Sequence, residues 1–314
     1  MKLLIHTDEK VFDFSNVASS ITLKSSWANG ASKLTFSYSK TVDKKLNNGD
    51  YVEFEYQGVK LFAGTVFTVK SNKGDPEITA YDQLRYFKAK DTVMRKNMSL
   101  SELLNVCVGN LLVTANIQPI TEKLPDYLFD NQTYLDMIYQ SCSDHLMQTG
   151  YYYVLRDNAG KVELKEIYDL RVPIIVGDES LAYSYDYEKS IDSDTYNQIK
   201  LAKDNQDSGQ RDVYIVHDTS LIQKWGMLQY FEKVDNNLND SQIKERADRL
   251  IKLKKRETEK LKLSALGDVR ILGGSGVRVV LSNEGIDAWA IVDSVMHTFT
   301  PVHTMELSLV FERS

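Results

Sequence analysis

The stretch LNNGDYVEFEYQGVKLFAGTVFTVK, residues 46–70, decides how this chain is read. In it Tyr51, Glu53 and Glu55 fall to one face, and Val52, Phe54 and Tyr56 to the other. That two-residue period is the signature of a β-strand with one covered side. Asn47, Asn48 and Gly49 mark a turn before it, and Gln57-Gly58 a turn after it. Moving outward, Val11, Phe12 and Phe14 precede Ile21, Leu23 and Trp27, and Leu34, Phe36 and Tyr38 alternate with Thr35, Ser37 and Ser39. A third turn is expected at residues 72–76. Strands spaced roughly every 8–12 residues predict a barrel or sandwich. The 18 tyrosines and 11 phenylalanines favour strands over helices in the same way.

Residues 99–148 change character. Ser99 is placed to cap a helix, with Glu102 at the capping-box position, and Leu103, Leu104, Val106, Cys107 and Leu111 supply its apolar stripe. Asn131 is the candidate cap of a second helix carrying Tyr134, Leu135, Ile138, Tyr139 and Cys142. Residues 151–170 read as a hairpin around Asp157-Asn158-Ala159-Gly160. Strands are expected again from Leu181, through Tyr183, Tyr185 and Tyr187, and from Asn197 to Leu201. Residues 204–209 read as a polar loop and 238–263 as a long helix capped by Asn239 or Ser241. Val269 and Ile271, residues 277–281, 288–295 and 305–311 read as closing strands, two of them joined by Gly273-Gly274-Ser275-Gly276.

The two strand-rich ends share a pattern. Leu46 and Gly49 precede Val52 and Phe54, then Phe62, Val66 and Val69. Leu272 and Gly276 precede Val277, Val279 and Leu281, then Trp289, Val292 and Val295. This is either a duplicated unit or the alternation common to any antiparallel meander.

No glycine-rich loop stands between a strand and a helix, as a phosphate cradle requires. Of five histidines only His297 and His303 are near one another and near Asp293, and they read as ordinary strand-end residues rather than metal ligands. No paired carboxylates stand out by spacing. Catalytic, cofactor and metal sites are therefore expected to be none. Cys107 and Cys142 read as buried reduced thiols. The tyrosine-rich strands read as core or interface rather than as a sugar-binding surface. The net charge of −6 argues against a general nucleic-acid binder. The basic run Lys252, Lys254, Lys255 and Arg256 is interleaved with Glu245, Asp248, Glu257 and Glu259, which suits a solvated or partner-facing helix. No secretory leader or membrane-spanning run is expected.

At this point a resemblance emerges. Residues 46–70, followed by ITAYDQLRYFKAKDT, resemble the front barrel of baseplate hub proteins of contractile phage tails and phage-tail-like particles, the PBSX-like prophage hubs of late-control D type. Gly49, Asp50, Val52, Phe62, Gly64, Val66, Tyr81, Asp82 and Tyr86 carry the match at the front. Gly276, Val279, Trp289, Val292, His297, His303, Met305 and Leu307 carry it at the back. The resemblance implies a mainly β fold with α insertions: two similar antiparallel β-barrels plus a helical and hairpin domain. Its expected divisions are 1–89 for the first barrel, 90–175 for the helical insertion with its hairpin, 176–210 with 264–314 for the second barrel, and 211–263 for an inserted segment with the long charged helix. It also implies a homotrimeric ring that adapts a six-fold tail tube, or its initiator protein, to a three-fold spike. The expected location is the baseplate of a virion or tail-like particle assembled in the bacterial host cytoplasm. A separate spike protein is expected because the chain stops at Ser314, after the closing strand. The acidic charge would suit a lumen that a tape-measure protein or DNA passes without adhering. No membrane partner and no sequence-specific nucleic acid are expected. The competing readings are a cell-wall-directed tail enzyme and a carbohydrate-binding tail module.

Overall fold

The computed structural model describes every residue except 8–9, 29, 72, 179, 205–209, 237 and 312–314. Most of the expected polar loop at 204–209, and Asn72 of the third turn, lie outside the described residues. The chain divides into two units. The first holds Met1–Leu146, Tyr151–Asp186 and Leu261–Ser314, and the second Met147–Gly150 and Tyr187–Lys260.

The chain opens with β1 (Lys2–His6), β2 (Val11–Asp13), β3 (Ala18–Ser26), β4 (Lys33–Tyr38), β5 (Tyr51–Tyr56), β6 (Val59–Lys70) and β7 (Glu77–Tyr81). A 3-10 turn at Gln83–Lys88 leads to β8 (Lys90–Arg95), α1 (Leu100–Leu111), β9 (Tyr127–Thr133) and α2 (Tyr134–Thr149). Then come β10 (Tyr153–Asp157), β11 (Val162–Glu166), β12 (Arg171–Gly177) and β13 (Ala182–Ser190). The next elements are β14 (Gln198–Asp204), β15 (Arg211–His217), α3 (Thr219–Trp225), β16 (Gln229–Lys233) and α4 (Asp240–Lys254). The chain closes with β17 (Thr258–Leu266), β18 (Gly276–Leu281), β19 (Ile286–Thr298) and β20 (Thr304–Phe311).

The fold is mainly antiparallel β with helical insertions. One 13-stranded sheet runs β13-β17-β20-β19-β3-β4-β7-β6-β5-β1-β2, with β18 pairing β19 and β12. The two strand sets expected as separate barrels are thus hydrogen-bonded into one sheet, through β3 with β19. Closure of either set into a barrel is not seen in the pairing of the described residues. In β5 the alternation holds: Val52 and Phe54 are buried beneath the sheet with Leu3, Ile5, Phe36 and Ile78.

Between the two strand sets, α1, α2, β8, β9, β10 and β11 pack around Leu103, Leu104, Cys107, Phe129, Ile138, Cys142 and Leu164. Ser99 caps α1 as expected, its hydroxyl accepting from Glu102 N–H while Glu102 accepts from Ser99 N–H at 2.7 Å. Both cysteines are buried and free. Asn131 does not cap α2. It sits inside β9 with a positive φ of 51°, and the hydroxyl of Thr133 accepts from Asp136 N–H at 3.1 Å instead. Arg95, 1% exposed, was not singled out from sequence. It donates to Ser141 Oγ, to Asp144 Oδ2 and to the Pro125 carbonyl, and its guanidinium lies 5.4 Å from the Phe129 ring centroid.

In the second unit, β14 lies between β15 and β16. The strand at 198–204, assigned from sequence to the second barrel, therefore pairs inside this small sheet. Ile243, Ala247, Leu250 and Ile251 of α4 cover its Ile199 and Leu201. Asn239 caps α4 with Gln242 in a capping box. The helix stops at Lys254, well short of the expected 263. From Thr258 the burial alternates, with Glu259, Leu261, Leu263 and Ala265 buried and Lys260 and Lys262 exposed, so this half is strand β17. The expected strand at Val269 and Ile271 is loop.

Candidate functional site

The residues singled out from sequence lie on, or in the turns and loops beside, two sets of five strands with one connectivity. In chain order the first set is β3 to β7, and it pairs β3-β4-β7-β6-β5. The second is β13, β17, β18, β19 and β20, and it pairs β13-β17-β20-β19-β18. A further strand flanks each set, β1 against β5 antiparallel and β12 against β18 parallel.

The likeness reaches single hydrogen bonds. The turn at residues 47–50 has Asp50 N–H donating to the Asn47 carbonyl at 3.3 Å and the Asp50 carboxylate accepting from Asn47 N–H at 2.7 Å. At residues 272–275, Ser275 N–H donates to the Leu272 carbonyl at 3.0 Å and the Ser275 hydroxyl accepts from Leu272 N–H at 3.0 Å. The third residue of each turn is a glycine with positive φ, 98° at Gly49 and 86° at Gly274, which a side chain would oppose. Each turn then holds a valine from both ends. Val66 N–H donates to Asp50 O and its carbonyl accepts from Gly49 N–H, both at 2.9 Å. Val292 N–H donates to Ser275 O and its carbonyl accepts from Gly274 N–H, both at 2.8 Å. A β-bulge follows each valine, between Val66 and Thr68 against β7 and between Val292 and Ser294 against β20.

This register corrects two pairings read from sequence. The counterpart of Gly49 is Gly274, while Gly276 opens β18 against Arg171 and Ile291. Trp289 is not the counterpart of Phe62, which aligns with Ala288. A one-residue offset in a strand reverses the face. Phe62 accordingly points into the core at 2% exposure, while Trp289 is half-buried under the Arg171 guanidinium, 4.7 Å from its centroid. Val52, Val66, Val279 and Val292 are all buried. Gly64 faces Val52 across the hairpin, and a Cβ there would stand 2.2 Å from the Tyr81 carbonyl oxygen.

Tyr81 and Asp82 end the first set. Tyr81 meets Phe67 edge-on at 5.7 Å, and the Tyr86 hydroxyl donates to Thr65 Oγ1. The buried Asp82 carboxylate accepts from Ser32 N–H at 2.8 Å and Leu84 N–H at 3.0 Å, capping the 3-10 turn. Burial, and then the charge of Asp157, push its carboxyl up to about 8. With both oxygens taken by backbone donors, the geometry serves as a tie rather than as an acid–base pair.

His297, His303 and Met305 end the second set. His297 Nε2 lies 2.8 Å from the Ile271 carbonyl, which can only accept, so that nitrogen carries the proton. His297 Nδ1 then accepts from His303 Nε2 at 3.0 Å. Burial pulls His297 down to about 4 and His303 in the same direction. The carboxylate acting on this pair is Asp268, rather than Asp293, which is nearer to His297 in sequence. Phe299 stacks on His303 with centroids 4.7 Å apart and meets Phe54 at 4.7 Å, so the closing segment plugs the core of the first set. Met305 is buried opposite His297 in the β19–β20 register. Sequence reading missed Ser25, whose hydroxyl accepts from Gly273 N–H at 2.8 Å. Partners 248 positions apart leave no local signal.

The YQBQ-like family model matches residues 21–310. Two curated relatives come from Bacillus subtilis (strain 168). The uncharacterized protein YqbQ is 29% identical over 274 residues, covering 86% of this chain and 83% of its own. The phage-like element PBSX protein XkdQ is 27% identical over 270 residues, covering 84% and 82%. Among solved structures, the 43 kDa tail protein of prophage MuSo2 from Shewanella oneidensis has the same fold, with a TM-score of 0.72, 11% identity and coverage of 99% of this chain and 98% of that one.

Proposed function

Since the chain belongs to the YQBQ-like family, we propose that it is a structural, non-enzymatic baseplate hub of a contractile tail or tail-like particle. Three copies form a ring between a six-fold tail tube, or its initiator protein, and a three-fold spike. The observation that carries this reading is the duplicated strand connectivity. A ring of three chains, each holding two like units, offers six similar docking surfaces to one neighbour and three-fold symmetry to the other. The relation to a PBSX protein and the fold shared with a prophage tail protein support the tail context. The expected divisions into two barrels, a helical insertion and an inserted charged segment are part of this proposal, with residues 198–204 moved to the inserted segment. The charged residues of α4 and its C-cap are engaged in ion pairs, Arg246 with Glu232, Arg249 with Glu245 and the capping Lys255 with Asp218, which suits a protein partner or solvent better than nucleic acid.

Capture with a contractile-tail tube protein and a spike protein tests the reading. Both are expected to be retained, and by opposite faces, so that neither competes with the other. Retention of neither, or release of peptidoglycan fragments by the purified protein, would contradict it.

A further inference from the structure

We propose that strand β13 of one molecule adds, antiparallel, to the free edge of β6 in a second copy of this chain. The proposal rests on the ring reading above and names its interface. It is drawn from a pairing already made inside the molecule. β3 and β13 are counterparts, each of nine residues and each opening its set. β3 is hydrogen-bonded on both sides, to β4 and to residues 294–298 of β19. β13 ends the sheet, with β17 its one strand neighbour among the described residues.

The complementary vacancy lies on β6. Past its bulge, β19 pairs β20 on one side and β3 on the other. Past its own bulge, β6 pairs β7 at residues 68–70, and its other edge there has no strand among the described residues. Each molecule therefore carries one edge of the kind that β3 supplies and one of the kind that β19 supplies. Unpaired edges invite strand addition, because their N–H and C=O groups already point outward. Joining two different edges is a head-to-tail contact, and such contacts close into rings when the rotation allows. The side chains agree. β13 exposes Tyr183 to 65% and carries Asp186 and Glu188 on its surface, while β6 ends in the exposed Lys70.

Cysteine pairs test this directly, because residues facing each other across an antiparallel pair are close enough for a disulfide. Asp186→Cys or Glu188→Cys on β13 is combined with Thr68→Cys or Lys70→Cys on β6. All four positions are exposed, and the native Cys107 and Cys142 are buried. Under mild oxidation at least one combination is expected to give a covalently closed trimer that reverts to monomer on reduction, with no such product from any single variant. A trimer by light scattering that none of the four combinations cross-links would overturn the edge pairing and leave the ring reading standing. A protein that stays monomeric and uncross-linked at every concentration would overturn both.

Discussion

The two five-strand sets use one hydrogen-bonding plan with different residues, and the difference follows the covering each receives. The first turn, Asn47-Asn48-Gly49-Asp50, is largely exposed and closes with a carboxylate. The second, Leu272-Gly273-Gly274-Ser275, is largely buried and closes with a hydroxyl, because Ser25 and Ser26 of β3 lie on it. A carboxylate there would lose its water on burial, which a neutral hydroxyl tolerates better. Gly273 is small for the same reason, since a Cβ would stand 2.4 Å from the Ser26 backbone. The backbone plan is thus kept where the surroundings change, and side chains follow the surroundings.

The largest asymmetry is expected at a pair of counterparts in the long strands. Gly64 aligns with Ala290. Gly64→Ala drives a methyl into the Tyr81 carbonyl and is expected to cost about 3–5 kcal/mol. Ala290→Gly removes a methyl from a strand and is expected to cost only about 1 kcal/mol. Urea denaturation of the two variants compares them. Equal losses would break the equivalence of the two strands.

A second difference is ionic. His297 is buried and neutral in the second set, and its counterpart in the first is Ser71. Its folded value of about 4 lies below the ordinary 6.5, so the unfolded chain takes up the proton first as pH falls. Stability is retained above pH 6.5 and lost between 6.5 and 4, by about 3 kcal/mol for a shift of this size. Asp82 runs the other way: raised to about 8 from 3.8, its contribution is full at low pH and is lost as pH rises between those values. The difference between wild type and His297→Gln isolates the histidine. The variant's stability is expected to fall less steeply below pH 6.5, and parallel curves would show that the imidazole does not titrate on unfolding.

The smallest effect contrasts the turn closures. Ser275→Ala leaves the Leu272 N–H with one partner fewer in a covered turn and is expected to cost about 1–2 kcal/mol. Asp50→Ala, where water reaches Asn47 N–H, is expected to cost about half as much. Thermal melts of the two variants measure the contrast, and a larger loss at Asp50 would reverse the argument from covering.

Legibility in the sequence followed the range of the interaction. The capping box of α1, the start of α4 at Asn239 or Ser241 and the hairpin at 157–160 were readable, because each is settled within a few residues. The helix expected to 263 failed because lysines are frequent in helices and on strand edges alike, and only the burial of Glu259, Leu261, Leu263 and Ala265 tells the period. The repeat was visible at Val66 and Val292, yet the glycine alignment slipped by two residues, since three glycines stand at 273–276 and only the sign of φ picks out Gly274. The β3–β19 pairing, which joins the two sets and locates the unfilled edges, was not legible. It brings Ser26 beside Ser294 and Thr22 beside Thr298 with no pattern in either segment to announce the other.

Electron microscopy of the purified protein at high concentration bears most directly on all of this. The account predicts an annulus of three chains in which six similar densities alternate around an open centre. A two-fold dimer, or a ring in which the two strand sets of each chain occupy unlike positions, would contradict it.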